Sequence, residues 1–255
     1  MWVSIVGVSW GLMVSSSLEE LPAKEEWMNN EAVPEGVTNT TSLYHSVYDQ
    51  LYARGYHRNK NITHAKELVE YLGPMAWIES VLDVGCSHGK GVQLLWEAGK
   101  RAAGIDIAQV AIANARKWRC GDDGCTRERC GVDVCFQVAS ATALPFASKS
   151  FDAIISTDVL EHIFSDDVPE VVRELTRVAR RLVAVKVASI IERKNYAQKQ
   201  ALHLENLHVT TQRLDWWAEA FTNNSAWKLQ DVIAHYESKG FYAGFAASFA
   251  PRDEK

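Results

Sequence analysis

Between Val81 and Gly91 an apolar run, Val-Leu-Asp-Val, breaks into Gly85-Cys-Ser-His-Gly89-Lys-Gly91, and an amphipathic helical pattern follows at once. A strand that empties through glycines into a helix offers backbone amides with no Cβ in front of them. The helix N-terminus adds unpaired N–H groups, so such a turn suits a nucleotide-type ligand. Spacing narrows the choice. Dinucleotide binding wants Gly at the first, third and sixth positions. Counted from Gly85, the third and sixth are Ser87 and Lys90. A hydride-transferring NAD(P)-dependent oxidoreductase is therefore disfavoured, although it stays the alternative enzyme class.

Downstream, apolar strands alternate with helical patterns. Strands are expected near 79–84, 101–106, 134–138, 151–156 and 181–188, and helices near 64–72, 89–98, 108–118 and 168–178. That order predicts an α/β fold: a doubly wound, mostly parallel seven-stranded sheet with helices on both faces. Trp227–Tyr236 and Phe241–Phe249 supply its closing antiparallel hairpin, around Ser238-Lys-Gly240. Upstream, Tyr44, Tyr48, Tyr52 and Tyr56 recur every four residues and form one face of an N-terminal helical extension that would close over the ligand side of the sheet. In such folds the ligand lies outside the carboxyl ends of the strands. Gly85, Asp106, Ser140 and Asp158 all fall there. Asp106 ends the second strand, where a carboxylate can accept from both hydroxyls of a ribose.

The acidic-x-Gly-x-x-x-Gly run from Asp83 to Gly89 resembles motif I of the class I S-adenosylmethionine (SAM) methyltransferases. Ser87 stands where many members carry a middle Gly. Ala139-Ser-Ala-Thr-Ala-Leu-Pro-Phe146, Ser150-Phe-Asp-Ala-Ile-Ile155 and Ser156-Thr-Asp-Val-Leu-Glu-His-Ile163 resemble the remaining signature of the small-molecule branch. The resemblance covers roughly Tyr44 to Arg181. It implies a SAM cofactor, with Asp83, Gly85, Cys86, Ser87 and Gly89 around its methionine part and Asp106 on its ribose. Ile107 would pack on the adenine, and Ser140 with the Ala141 backbone would receive its amino group. Thr157 lies on the same rim, and Tyr48 or Tyr52 would reach the SAM carboxylate. Family members often carry Asp where this chain has Ser140, and a hydroxyl accepts more weakly than a carboxylate.

Methyl transfer from a sulfonium is an in-line displacement, so alignment and exclusion of water supply much of the rate. A hydroxyl acceptor, the expected type, also needs a base, for which His is suited near neutral pH. His208, in Leu202-His-Leu-Glu-Asn-Leu-His-Val209, is the preferred base, with His203 and Glu205 nearby in the chain. Glu161 and His162 follow the fourth strand, and a Glu-His pair there serves metal or acceptor in some enzymes of the family they resemble, or else braces the loop. His88, inside the glycine turn, reads as structural. Trp216, Trp217 and Phe221 could stack on a planar acceptor, but core packing is their commoner fate. A non-catalytic SAM-binding partner subunit is the second alternative. No metal site is assigned.

Composition bounds the remainder. With 255 residues and 47% hydrophobic content, the chain can bury one sizeable core: residues 43–255 form the methyltransferase domain, with an acceptor lid near 195–222, behind an apolar segment and linker at 1–42. A net charge of −5 gives no footprint for nucleic acid, and the expected partner is a small-molecule acceptor. Residues 1–17 carry no charge and could serve as a signal or membrane anchor, and sequons begin at Asn39, Asn61 and Asn223. The run lacks a basic start and is short for a membrane span, which weighs toward the cytoplasm over the secretory lumen. Cys120, Cys125, Cys130 and Cys135 recur every five residues, with Cys86 apart. Without a Cys-x-x-Cys pair, loop thiols rank ahead of disulfides, and disulfides ahead of zinc.

Overall fold

A computed structural model describes residues 39–57, 59, 61, 63–121, 125–190, 207–236 and 243–252. Its elements, in order, are α1 (Thr40–Ala53), α2 (Lys66–Leu72), β1 (Ser80–Val84), α3 (Lys90–Glu97), β2 (Arg101–Asp106) and α4 (Gln109–Ala115). A π-helical turn (Arg116–Cys120) and the short α5 (Arg127–Cys130) precede β3 (Phe136–Val138) and β4 (Phe151–Thr157). A 3-10 turn (Leu160–His162), α6 (Val168–Val178), β5 (Ala179–Ala188), α7 (Leu214–Asn224), β6 (Trp227–Tyr236) and β7 (Gly244–Pro251) complete the chain.

The strands form one sheet in the order β3-β2-β1-β4-β5-β7-β6. β3 to β5 run parallel, and β7 pairs antiparallel with both β5 and β6. The seven-stranded, mostly parallel sheet closed by a hairpin is the expected architecture; the turn Ser238-Lys-Gly240 lies outside the described residues.

Every residue of β1 is buried, as a strand covered on both faces must be. Its alternation assigns the faces. Leu82 and Val84 pack with Ile154, Val183 and Val185 against Val172 and Leu175 of α6 and against Trp217 and Phe221 of α7. Val81 packs with Ala153, Ile155 and Leu182 against Leu68 and Leu72 of α2 and Val92 and Leu95 of α3. Each such aliphatic side chain stabilises the fold by about 1.5–3 kcal/mol through burial. The two layers thus fix the sheet's carboxyl rim, from which the site is built.

The insert before β3 corrects the expectation of loop thiols. Cys120 pairs with Cys125, and Cys130 with Cys135, as disulfides. The π-helical turn ends at Cys120, and α5 ends at Cys130, five residues before Cys135 at the entry to β3. Five-residue spacing therefore brings Cα atoms to 4.7 and 5.3 Å, within bridging range. Cys86 stays an unpaired, buried thiol. Among the described residues no helix is long and apolar enough to cross a membrane. Residues 1–38 and 191–206, which include the apolar segment, His203 and Glu205, lie outside the described residues.

Candidate active site

At the carboxyl rim of the parallel strands a cleft of about 1090 Å³, its open mouth included, is lined by six stretches of chain. The glycine turn is its floor. Gly85 and Gly89 sit at φ +80° and +72°, and a Cβ on Gly85 would come 2.2 Å from Val159 Cγ2, so no side chain fits there. Ser87 also adopts a left-handed φ, +50°, which is what the missing middle Gly would have made easy. Gly91, which the sequence reading did not single out, clears space for a carboxylate: a Cβ there would meet Asp83 Oδ2 at 2.5 Å.

Asp106 Oδ2 accepts from the Ser87 amide at 2.8 Å and Oδ1 from the Ala108 amide at 2.9 Å, which ties the end of β2 to the glycine turn. Burial nevertheless raises its carboxyl to about 6 against those two amides. Asp83 is pushed further, to about 7, by burial and then by the neighbouring Asp106. Two carboxyls whose ionised forms are held back sit side by side in a cleft, which marks a place prepared for a cationic or hydroxyl-bearing ligand.

The other walls follow the expected positions. Ile107, Ala139, Ser140, Ala141 and Thr157 all line the cleft. The Ser140 hydroxyl is partly spent locally: it lies 2.7 Å from Thr142 Oγ1 and accepts from the Thr142 amide at 3.2 Å. All four tyrosines at the four-residue spacing reach the cavity. They differ in duty. Tyr44 is a staple, donating to Asp167 Oδ2 at 3.0 Å and accepting from the Phe164 amide at 2.7 Å. Tyr52 is buried, with its hydroxyl held well above its ordinary range by burial and then by Asp106. Tyr48 meets the His162 ring edge-on at 5.8 Å.

Around His162 the structure unites groups far apart in sequence. Leu207–Thr210 is stitched to the turn after β4: the Glu161 carbonyl accepts from the Val209 and Thr210 amides at 2.8 and 3.0 Å, and the Thr210 hydroxyl donates to Ile163 at 2.6 Å. His208 and His162 thereby stand 4.9 Å apart, rings crossed. Each has its Nδ1 2.8 Å from a backbone carbonyl, Ile190 for His208 and Leu207 for His162. Carbonyls only accept, so both rings carry a proton on Nδ1. Burial and then the facing His208 lower His162 to about 3, so it is neutral across the working range. Glu161 is fully buried, and its Oε1 accepts from the Ala188 amide at 3.2 Å. His162 lines the cleft.

The sequence reading missed His64, which is paired through Nδ1 with the Asp158 carboxylate across the cavity mouth. The sequence places it at the start of a helix that begins only at Lys66, and nothing in its neighbourhood signals a pairing 94 residues away. His88 is buried between Tyr52 and Trp118, a packing position. Trp217 and Phe221 belong to the core, with Phe221 stacked on Phe249 at 3.8 Å.

Residues 82–182 match the family model of the methyltransferase domain. The phosphoethanolamine N-methyltransferase 1 of Triticum aestivum is 31% identical over 117 residues, 46% of this chain and 22% of that protein. A ubiquinone biosynthesis O-methyltransferase of Sinorhizobium fredii is 30% identical over 87 residues, 34% of this chain and 32% of that protein. The chain thus spans well under half the length of the curated relatives it matches. In fold it is similar to the magnesium protoporphyrin IX methyltransferase of Synechocystis PCC 6803, solved with bound SAM. The TM-score is 0.61 at 13% identity, over 85% of this chain and 99% of that one.

Proposed function

We propose that this chain, which carries a class I methyltransferase domain, transfers a methyl group from SAM to the hydroxyl oxygen of a small-molecule acceptor. The observation that carries the reading is the continuity of the cleft. The glycine turn, Asp106 and His162 all line this one cleft, and His208 packs against His162. In this reading Asp83 and the amides of Gly85, Cys86, Ser87 and Gly89 surround the methionine part of SAM. Asp106 takes the ribose hydroxyls, Ile107, Ser140 and Ala141 frame the adenine, and Thr157, Tyr48 and Tyr52 close over the donor. Lys90, at the head of α3 and on the cavity wall, suits the SAM carboxylate.

The chemistry needs no covalent intermediate. As the acceptor oxygen attacks the methyl carbon, the C–S bond breaks and its electron pair neutralises the sulfonium. The hydroxyl proton is drawn off on the side of Glu161, His162 and His208, where burial holds the His162 ring neutral. The paired cysteines bear on compartment: such bonds persist in oxidising surroundings, which weighs against the cytoplasm and for the secretory lumen.

Methyl-labelled SAM offered with a library of hydroxylated acceptors tests the reading. Labelled ether product is expected, with turnover reduced at least about 100-fold in His208→Ala while SAM affinity holds. No product with any acceptor, or full turnover in His208→Ala, contradicts it.

A further inference from the structure

The acceptor side holds more than a base. One ligand-capable atom from each of Glu161, His162 and His208 lies within 4.8 Å of the other two. We propose that these three residues bind one divalent first-row transition cation, whose remaining coordination positions take the acceptor's oxygen.

Three features converge on this. The donor set is two imidazoles and one carboxylate, which suits zinc, iron(II), cobalt(II) or manganese(II) and leaves positions open, whereas magnesium and calcium favour all-oxygen sites. Both imidazoles are oriented by Nδ1–H bonds to the Ile190 and Leu207 carbonyls. That arrangement fixes the tautomer and aims Nε2, as the outer partners of metal-ligating histidines do. The scaffold is also preorganised: the Glu161 carbonyl holds the Val209 and Thr210 amides, and the Glu161 carboxylate is itself oriented by the Ala188 amide. Small rotations of the half-buried rings draw the three donors onto one ion at about 2.0–2.2 Å. The sequence raises metal only as one role of the Glu161-His162 pair and assigns none, because His208 stands 46 positions away with no spacing motif to join it.

The ion's binding stands alone; its role in methylation rests on the reading above. An acceptor hydroxyl that binds the ion loses its proton to water at a lower pH, because the ion stabilises the oxyanion. That oxygen then forms the new C–O bond while the C–S electron pair returns to sulfur. Nothing is oxidised or reduced. In the ion-loaded protein the Nε2 lone pairs serve the cation, and in the ion-free protein His208 takes the proton.

Cobalt(II) alone is the probe. The chelator-stripped full chain is dialysed against it, with ion content and visible absorption recorded. One ion per chain with visible cobalt bands is expected, and affinity falls at least about 100-fold in His208→Ala and in Glu161→Gln. His208→Ala tests the site even if the buried Glu161 variant fails to fold, and thermal melting checks each variant. Acetohydroxamate, a small bidentate oxygen ligand, should shift the bands. No bound cobalt, or binding unchanged in His208→Ala, overturns the site. Bands that ignore acetohydroxamate overturn the open positions. A parallel SAM titration is independent: lost SAM binding with intact cobalt binding would refute the methyltransferase reading and leave the ion site standing.

Discussion

In the proposed reading Asp83 and Asp106 hold the donor, and their environment gives that binding a pH dependence. In the cofactor-free protein burial raises them to about 7 and about 6, so both gain protons as pH falls through those values. A sulfonium donor with an α-ammonium group favours the ionised forms, and binding must then expel those protons. SAM affinity is expected to weaken as pH drops below about 7, approaching tenfold per pH unit for each proton released. Calorimetry between pH 8 and pH 5.5 measures this, and constant affinity would contradict it. The spacing of Asp83, Gly85, Gly89 and Asp106 was legible in the sequence because they sit at the ends of β1 and β2 and at the N-cap of α3. Gly91 and His64 were not, since their reasons are a close approach to Asp83 and a pairing with Asp158 that only the fold creates.

At the scale of elements, α1 matters most. Its tyrosine face was readable from the four-residue spacing, but the division of labour was not. Tyr44 locks α1 to the turn before α6 through Asp167 and the buried Phe164 amide. Tyr44→Phe leaves that amide without its acceptor and should cost about 1–3 kcal/mol. A melting temperature unchanged from wild type would show that the staple does not hold the helix. The strands and α6 were readable from hydrophobic period, whereas α7 hid among Trp216, Trp217 and Phe221, whose aromatic run gives no clear period. The disulfides hid for a different reason: only the fold brings the members of each cysteine pair within bridging distance.

For the whole molecule, stability follows from opposing sets of carboxyls. Asp152 is buried, but the Glu79 and Ser80 amides, the Ser80 hydroxyl and Arg180 together hold it below the usual range. Glu174 is lowered chiefly by Arg177. Their contributions are present above the ordinary carboxylate range and are lost as pH falls through their lowered folded values. Asp83 and Asp106 act the other way: their contribution is full below about 4 and is lost as pH rises through about 6 and about 7. The cofactor-free chain should therefore melt highest near pH 5 and lower at pH 8. Asp83→Asn should flatten the alkaline side; an identical fall in that variant would remove Asp83 from the account.

The central claim is that the rim of the sheet is a seat for SAM, and a calorimetric titration tests it most directly. Wild-type chain should bind one SAM with no comparable response to NADH, and Asp106→Ala should bind more weakly by about 1–3 kcal/mol through lost charged hydrogen bonds to ribose. Absence of SAM binding, or undiminished affinity in Asp106→Ala, would contradict it.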